Sequence, residues 1–265
     1  MPKFPILSVV SKRQRFVISV LLLTAGLFLS EFLSGYLLVA YAVILSILTV
    51  LLLLYSVRED VKDKFSYPIF ILPFMFTLCF VLFYPLLPAR LITRVSLTTL
   101  YAFGLYSLFL TQNIFVVSAV RTINLMRSAR IVAFVLTIVV LFLASNVIFT
   151  LRLPFYVSPI AIFAITFLLN FQSLWIYSLS RDFIPETIFL SALLSLCLME
   201  LAFVLNLWPI NASLYSIFIA GIFYAYSGLV HAWVEKRLFR GVLWEYVWVG
   251  FLAVLILIFF SKWGL

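Results

Sequence analysis

The stretch IVAFVLTIVVLFLASNVIF, residues 131–149, decides the fold class of this chain. It contains no charged residue and is long enough for an α-helix to cross a hydrocarbon core of roughly 30 Å at about 1.5 Å per residue. A strand of a transmembrane barrel would instead alternate apolar and polar side chains over about ten residues. This stretch does not alternate, so we predict a transmembrane α-helix.

Comparable apolar stretches recur along all 265 residues, of which 66% are hydrophobic and 10% charged. Soluble domains are close to half apolar and about a quarter charged. The predicted fold is therefore all-α, a polytopic bundle of about nine transmembrane helices. We expect residues 1–265 to form a single integral-membrane helical domain with no soluble domain, because no connection exceeds about a dozen residues. The predicted spans are 16–33, 36–56, 67–86, 96–119, 131–150, 156–179, 187–207, 212–230 and 243–260.

The basic residues between the spans predict the orientation. If the N-terminus is cytoplasmic, 14 of the 18 Lys and Arg residues lie on the cytoplasmic side, as the positive-inside rule expects. The net charge of +9 is then explained by topology, and we expect membrane lipids rather than nucleic acid as partners. The first span lacks a small-residue cleavage signal, which indicates an uncleaved signal anchor.

One carboxylate interrupts the seventh span, in SLCLMELAFVLN, residues 195–206. Glu200 lies about 5 Å from the middle of the span, toward the outer side. An ionised carboxylate there costs at least ~2.5 kcal/mol in lipid, so we expect it to face protein or water, or to be protonated. The polar residues at matching depth are Asn146 and Tyr215, with Asn206 farther out. Two interpretations stay open: a proton-coupling or substrate-binding group, and a protonated structural donor.

A second polar layer is predicted toward the cytoplasm. Hydrogen bonds of about 0.6 to 2 kcal/mol between helices would explain it without any function. A cytoplasmic vestibule is the alternative. The residues of this layer are Gln112, Asn113, Asn170, Gln172 and His231.

Two basic segments on the predicted cytoplasmic side are candidate sites for lipid headgroups. Each segment would also serve as an interfacial anchor on anionic lipid, and both interpretations stay open. Their basic residues are Arg121, Arg127, Arg130, Lys236, Arg237 and Arg240.

The eighth span carries small residues on one helix face, at Gly221, Ala225, Gly228 and Ala232. Such a stripe lets another backbone come close, so we expect this helix to lie centrally in the bundle. Asn211, just before the span, matches a glycosylation acceptor, but its loop is short. We predict that it is the N-cap of the helix instead.

Missing residue types exclude several classes of function. A single histidine excludes bis-histidine haem ligation and multi-histidine metal sites within one chain. No lysine lies inside any predicted span, since Lys262 follows the last one, which argues against a retinal Schiff base. We expect no metal and no cofactor, and a role without catalysis is favoured over an enzyme.

The segments LITRVSLTTLYAFGLYSLFLTQNIFVVSAVRTINLMRSARIV (91–132) and YSGLVHAWVEKRLFRGVLWEYVWVG (226–250) resemble a family of uncharacterised small multi-pass membrane proteins of bacteria. The resemblance covers about the latter two thirds of the chain and includes no catalytic motif. It implies a location in the bacterial inner membrane and supplies no activity.

Three functions follow as hypotheses. The first is a permease or lipid-handling carrier with a midplane polar pocket around Glu200. The second is a non-catalytic scaffold or partner subunit that binds other membrane subunits. The third is a membrane-embedded enzyme that acts on lipid, with Glu200 as its acid or base.

Overall fold

A computed structural model describes residues 11–58, 67–88, 90–118, 125–178 and 184–261. Within these ranges the regular structure is helical, without a strand. Short 3₁₀ turns flank α1 and α3. The α-helices are α1 (Lys12–Leu29), α2 (Gly35–Val57), α3 (Ile71–Phe83), α4 (Leu91–Ser118), α5 (Met126–Thr150), α6 (Val157–Ser178), α7 (Ile184–Leu205), α8 (Ala212–Val234) and α9 (Arg240–Phe260).

The predicted transmembrane organisation is confirmed. Nine helices in the described ranges are long and apolar enough to cross a membrane, and each coincides with one predicted span. The largest differences are at the starts of α4 and α5, which begin at Leu91 and Met126 rather than at 96 and 131. Both helices continue through flanking polar residues, because hydropathy marks the apolar part of a helix rather than its hydrogen-bonded end.

The chain divides into two compact units, Met1–Ala133 and Phe134–Leu265, with the boundary inside α5. In the first unit, α1 packs against α2 and α4, and α3 packs against α2 and α4. The Tyr41 hydroxyl on α2 donates to the carbonyl oxygen of Gly26 on α1, at 2.7 Å. Arg94 at the start of α4 pairs with Glu31. The expectation of one domain over the whole chain stays a prediction.

Three hydroxyl groups form a chain inside the first unit. The hydroxyl oxygen of Thr49 on α2 lies 2.9 Å from that of Thr77 on α3. Thr77 in turn lies 3.2 Å from the hydroxyl of Tyr101 of α4. All three side chains are fully buried. Each hydroxyl thus finds a partner away from water, and the chain joins three helices.

In the second unit, α6 packs against α7 and α8 packs against α9. The predicted small-residue stripe of α8 faces α9. A Cβ atom at Gly221 would stand 2.9 Å from the Cβ of Ala253, and one at Gly250 would stand 3.4 Å from the Cβ of Ala225. Only 11% of the apolar 18-residue segment of α9 is buried. This helix therefore lies at the edge of its unit. The stripe therefore serves close helix packing, as predicted.

Candidate functional site

Glu200, the carboxylate expected at the centre of a midplane pocket, is exposed on α7. It lines neither of the two cavities described below. The structure therefore places it on the surface of the second unit. Exposed apolar residues accompany it on the same face of α7, at intervals of three or four: Leu193, Leu196, Phe203 and Val204.

The residues predicted to lie at the same membrane depth as Glu200 are at the predicted outer end of the second unit. Tyr215 is fully buried and Asn146 is 9% exposed. The Tyr215 ring packs on Phe149, with the ring centroids 4.7 Å apart. Asn206 is half-buried and donates from Nδ2 to the carbonyl oxygen of Phe155, at 3.3 Å. These residues hold the ends of their helices together without Glu200.

A cavity of about 640 Å³ lies at this end of the unit, and we call it the outer-side cavity. The C-terminal ends of α5 and α7 and the N-terminal ends of α6 and α8 surround it, which agrees with the alternating directions predicted for these helices. Apolar side chains such as Phe149 and Ile210 form part of its wall, and none of its described lining residues is acidic. Its main polar lining residues are Arg152, Ser158, Asn206 and Asn211.

Two buried hydroxyl groups lie at the outer-side cavity. Ser158 lines it and is only 4% exposed. The Tyr215 hydroxyl adjoins the Ser158 side chain. Neither oxygen forms a hydrogen bond of good geometry with any described residue. Buried polar groups are nearly always hydrogen-bonded, and here each hydroxyl has the other as its neighbour, with Ser158 in the cavity lining.

Arg152 enters the wall of this cavity from an unusual backbone conformation. Its φ of 47° lies in the left-handed region, which costs roughly 1–2 kcal/mol for a residue other than glycine. Its N–H donates to the carbonyl oxygen of Phe149, at 3.2 Å, just beyond the end of α5. The side chain is exposed and forms no ion pair within the described ranges. Its guanidinium charge is therefore available to a ligand.

Two helix N-termini add positive potential at the same cavity. The α8 helix begins after Asn211, whose Oδ1 accepts a hydrogen bond from the N–H of Leu214 at 2.8 Å. This confirms the predicted N-cap. The α6 helix begins at Val157, next to Ser158. Because the helix dipole favours negative charge at a helix start, both ends reinforce the charge of Arg152, although the N–H groups of Val157 and Ser158 already donate to the carbonyl oxygen of Pro154.

Asn170, from the predicted cytoplasmic layer, joins three helices of the second unit. Its Nδ2 donates to the hydroxyls of Ser195 on α7, at 3.2 Å, and Tyr226 on α8, at 3.5 Å. Its Oδ1 accepts from the Ser227 hydroxyl at 3.1 Å. Both ends of the amide are used, so Asn170 fits the structural interpretation that the sequence left open. We call these four residues the Asn170 cluster.

His231, also from that layer, is enclosed by aromatic rings. Its ring stacks on Tyr177, with centroids 4.3 Å apart and planes 16° apart. Phe134 meets it edge-on, at 5.0 Å between centroids. Its Nε2 lies 2.9 Å from the Ser173 hydroxyl. These three contacts hold the imidazole ring in one orientation.

The remaining residues of the predicted layer have unsatisfied amide atoms. Gln112 of the first unit and Gln172 of the second are 0% and 2% exposed. Neither amide atom of either side chain has a partner within the described ranges, and the same holds for Oδ1 of Asn113. An unsatisfied buried polar group costs about 1–3 kcal/mol. These amides therefore weaken the fold in the structure as it stands, whereas Asn170 strengthens it.

The basic residues proposed near the start of α5 belong to the first unit. Arg121 lies outside the described residues. Arg127 is exposed in the first turn of α5, and Arg130 is half-buried one turn later. Binding of lipid headgroups by these residues stays a prediction.

The basic residues proposed near the start of α9 differ from one another in their contacts. Lys236 lines a second cavity of the second unit, described below. Arg237 pairs with Glu235, at 3.8 Å between nitrogen and oxygen. Arg240 is exposed at the first position of α9. Of these three, Lys236 is the one that lines a cavity.

Reasoning from the sequence did not identify Arg152 and Ser158 as cavity residues or Ser195 and Tyr226 as partners of Asn170. Hydroxyls are common in transmembrane helices and often bond their own helix, as the Thr166 hydroxyl does with the carbonyl oxygen of Ile162 at 2.7 Å. The spacing of residues in the sequence does not distinguish a hydroxyl that bonds its own helix from one that faces a cavity.

No group of three or more His, Cys, Asp or Glu residues within the described ranges is placed to hold a metal ion. Cys79 is buried and Cys197 is exposed, and both are free thiols. The candidate site therefore consists of the outer-side cavity and its polar wall.

Comparison with known proteins supplies a family and no activity. No curated protein and no solved structure matches the chain. A family described as "Protein of unknown function (DUF5656)" matches residues 17–260. The match begins within α1 and ends with α9, in agreement with the resemblance to an uncharacterised family that the sequence indicated. The chain therefore belongs to the DUF5656 family.

Proposed function

We propose that this protein is a lipid-handling carrier whose outer-side cavity binds an amphiphile with an anionic headgroup. The observation that carries the proposal is that Arg152 lines the same cavity as Ser158, whose buried hydroxyl adjoins that of Tyr215. A volume of about 640 Å³ is in the usual range for a ligand site. Polar groups without partners and space for a ligand thus occur at one place.

The charges at the cavity favour an anion. Arg152 presents five N–H donors in a fork that fits phosphate or carboxylate. The hydroxyl groups donate as well, and the starts of α6 and α8 favour negative charge. No carboxylate among the described lining residues opposes this arrangement. A cation would meet Arg152 without a counter-charge.

The walls of the cavity favour an amphiphile over a small soluble anion. Phe149, Phe155 and Ile210 form part of the lining. Phe155 is 41% exposed, and its neighbour Tyr156 is 65% exposed. The cavity lies where the helices end, at the level expected for the membrane interface, where Tyr is enriched. A headgroup can thus meet Arg152 while its acyl chains follow the exposed apolar side chains.

Ligand-induced stabilisation in neutral detergent tests the proposal. Short-chain phosphatidylglycerol and short-chain phosphatidylcholine serve as probes, and the unfolding temperature is measured as each is titrated. We expect phosphatidylglycerol to raise the unfolding temperature more than phosphatidylcholine does. Arg152→Gln is expected to weaken phosphatidylglycerol binding on the order of tenfold or more, the effect of losing a charge-assisted hydrogen bond.

Arg90→Gln is the matched control, because Arg90 is exposed on the same predicted side of the membrane and lies in the first unit. Ser158→Ala provides a second variant, since it removes one unsatisfied hydroxyl and leaves all charges in place. The proposal fails if R152Q binds phosphatidylglycerol as tightly as the parent protein does, or if R90Q weakens that binding as much as R152Q does.

A second candidate, a partner subunit of a membrane complex, rests on Glu200. Its exposed carboxylate lies within an exposed apolar face of α7. An acidic side chain that faces lipid costs at least about 2.5 kcal/mol. A helix of a partner protein that brings a hydrogen-bond donor to this face would remove that cost. The enzyme hypothesis has no comparable support, since neither described cavity includes Glu200.

Cys197 allows a direct test of this second candidate with the native sequence. It is exposed on α7 one turn from Glu200, whereas Cys79 is buried. Oxidative crosslinking in native membranes would join two copies through Cys197 if they meet at this face. A Cys197→Ser variant that crosslinks as well as the parent protein would exclude such contact.

A further inference from the structure

A second cavity, of about 470 Å³, lies at the opposite end of the second unit. We call it the inner-side cavity, since it faces the predicted cytoplasmic side. The C-terminal ends of α6 and α8 and the N-terminal end of α7 surround it. None of its lining residues lines the outer-side cavity, so whatever binds here does not depend on the function proposed above.

Opposite charges line the inner-side cavity without pairing. Glu186 lies in the first turn of α7, and Lys236 follows the end of α8. Both side chains are exposed, and neither forms an ion pair within the described ranges. Nearby Arg237 and Glu235, by contrast, do pair, at 3.8 Å. Within the described ranges, the two cavity charges thus line one cavity without an ion pair.

The backbone fixes where Lys236 leaves α8. Its φ is 56°, in the left-handed region that a helix end commonly gives to glycine. Its N–H donates to the carbonyl oxygen of Trp233 at 2.9 Å, and the N–H of Arg237 donates to that of Ala232 at 2.8 Å. These two bonds close the end of α8. The ammonium therefore starts from a well-defined point at the rim of the cavity.

Aromatic rings form the wall between the charges. Tyr177 lines the cavity from α6, and its ring is held by the stack on His231. Trp233 lines it from α8 and is 60% exposed. Electron-rich ring faces attract ammonium groups, and Trp and Tyr are enriched where the headgroups of a membrane lie. A carboxylate together with these rings suits a cationic amine.

We infer that the inner-side cavity binds the zwitterionic headgroup of a phospholipid. Lys236 meets its phosphate, and Glu186 with Trp233 and Tyr177 meets its amine. A purely anionic headgroup would be repelled by Glu186, and a purely cationic one by Lys236. A headgroup that carries both charges satisfies both side chains.

Binding of two short-chain lipids tests this inference in the full-length protein in neutral detergent. The probes are phosphatidylethanolamine, which is zwitterionic, and phosphatidylglycerol, which is anionic. Bound lipid is counted by native mass spectrometry, and affinity is taken from the titration. We expect Glu186→Gln to weaken phosphatidylethanolamine binding by up to about fivefold, the scale of one charge contact at an exposed site. Phosphatidylglycerol binding should stay the same or become tighter, because the carboxylate that repels it is gone.

We expect Lys236→Gln to weaken phosphatidylethanolamine binding to a similar extent. Arg240→Gln is the matched control, because Arg240 is exposed nearby and does not line the cavity. Both cavity positions are exposed, and circular dichroism verifies that each variant is folded. The inference is overturned if E186Q and K236Q bind phosphatidylethanolamine as the parent protein does.

The R152Q variant separates this inference from the function proposed for the outer-side cavity. Loss of phosphatidylglycerol binding in R152Q, with phosphatidylethanolamine binding lost only in E186Q and K236Q, supports two separate sites. If R152Q alone loses both lipids, the inner-side cavity is not a lipid site and the outer-side proposal stands. If E186Q and K236Q alone lose both lipids, the inner-side cavity takes phospholipids without selecting the amine, which overturns the zwitterion assignment.

Discussion

Tyr246 of α9 packs directly against Gly228 of α8, so closely that a Cβ atom added at Gly228 would stand 2.1 Å from Cε1 of the tyrosine ring. The ring cannot easily move away, because it also packs on Tyr224, with centroids 5.4 Å apart. Of the small residues in the α8 stripe, Gly228 thus has the strictest requirement for glycine. It holds α9 against the rest of its unit.

We expect Gly228→Ala to lower the free energy of unfolding by about 1–3 kcal/mol, the usual cost of overpacking a well-packed contact. Thermal unfolding in detergent measures the change. Gly241→Ala is the control, because a Cβ at Gly241 has nothing within 4 Å. It should leave stability unchanged or raise it by up to about 1 kcal/mol through helix propensity. A G228A protein as stable as G241A would contradict the close packing described here.

The hydroxyl chain of the first unit gives a second prediction. Tyr101→Phe removes the last member of the chain and leaves Thr77 with Thr49 as its remaining partner. We expect a loss of about 1 kcal/mol, the net value of one buried hydrogen bond. Tyr106→Phe on the same helix should have no effect, since Tyr106 has no hydrogen bond within the described ranges. Chemical unfolding of both variants under the same conditions provides the comparison.

Asn170 and Gln172 lie two residues apart on α6 and should respond in opposite ways. Asn170→Leu removes an amide that bonds Ser195, Tyr226 and Ser227, and leaves buried hydroxyls unsatisfied. We expect it to lower the unfolding free energy by about 1–3 kcal/mol. Gln172→Met replaces an amide without partners by an apolar side chain of similar length, and it should be neutral or stabilising.

A strongly destabilised Q172M protein would show that the Gln172 amide is bonded in the membrane. The same thermal or chemical unfolding assay serves for both variants. A stable N170L protein would mean that the Asn170 cluster does not join the three helices.

Two substitutions of Asn211 distinguish an effect on stability from an effect on binding at the outer-side cavity. Asn211→Ala removes the N-cap of α8 and should cost about 1 kcal/mol of stability. Asn211→Asp keeps an acceptor for the N–H of Leu214, and its charge is favourable at a helix start. It also adds a negative charge to the wall of the cavity.

We therefore expect N211D to be as stable as the parent protein and to bind phosphatidylglycerol more weakly. N211A should show the reverse pattern, with lower stability and binding close to that of the parent. Unfolding temperature and lipid titration are measured on the same samples. Unchanged phosphatidylglycerol binding in N211D would count against an anionic ligand in this cavity.

The transmembrane helices were predictable because each apolar stretch is long and is bounded by polar residues. The exposure of Glu200 was not predictable. Its helix is apolar on nearly every side, with exposed residues such as Leu196 and buried ones such as Leu198 indistinguishable by hydropathy. Depth along α7 could therefore be inferred from helix direction, whereas rotation about the helix axis could not.

The outer-side cavity depends on a conformation that the sequence does not signal. The segment LRLP, residues 151–154, contains no glycine, yet Arg152 adopts a left-handed backbone that directs its side chain to the cavity wall. Asn211 shows the opposite case. Its side chain caps α8 through a local hydrogen bond, and local hydrogen bonds are what sequence patterns predict best.

The Asn170 cluster lies between two cavities that share the helices α6, α7 and α8. It links these helices near their middle by three hydrogen bonds. A substitution that breaks the cluster would therefore disturb the helices that bound both cavities, at opposite ends of the same unit.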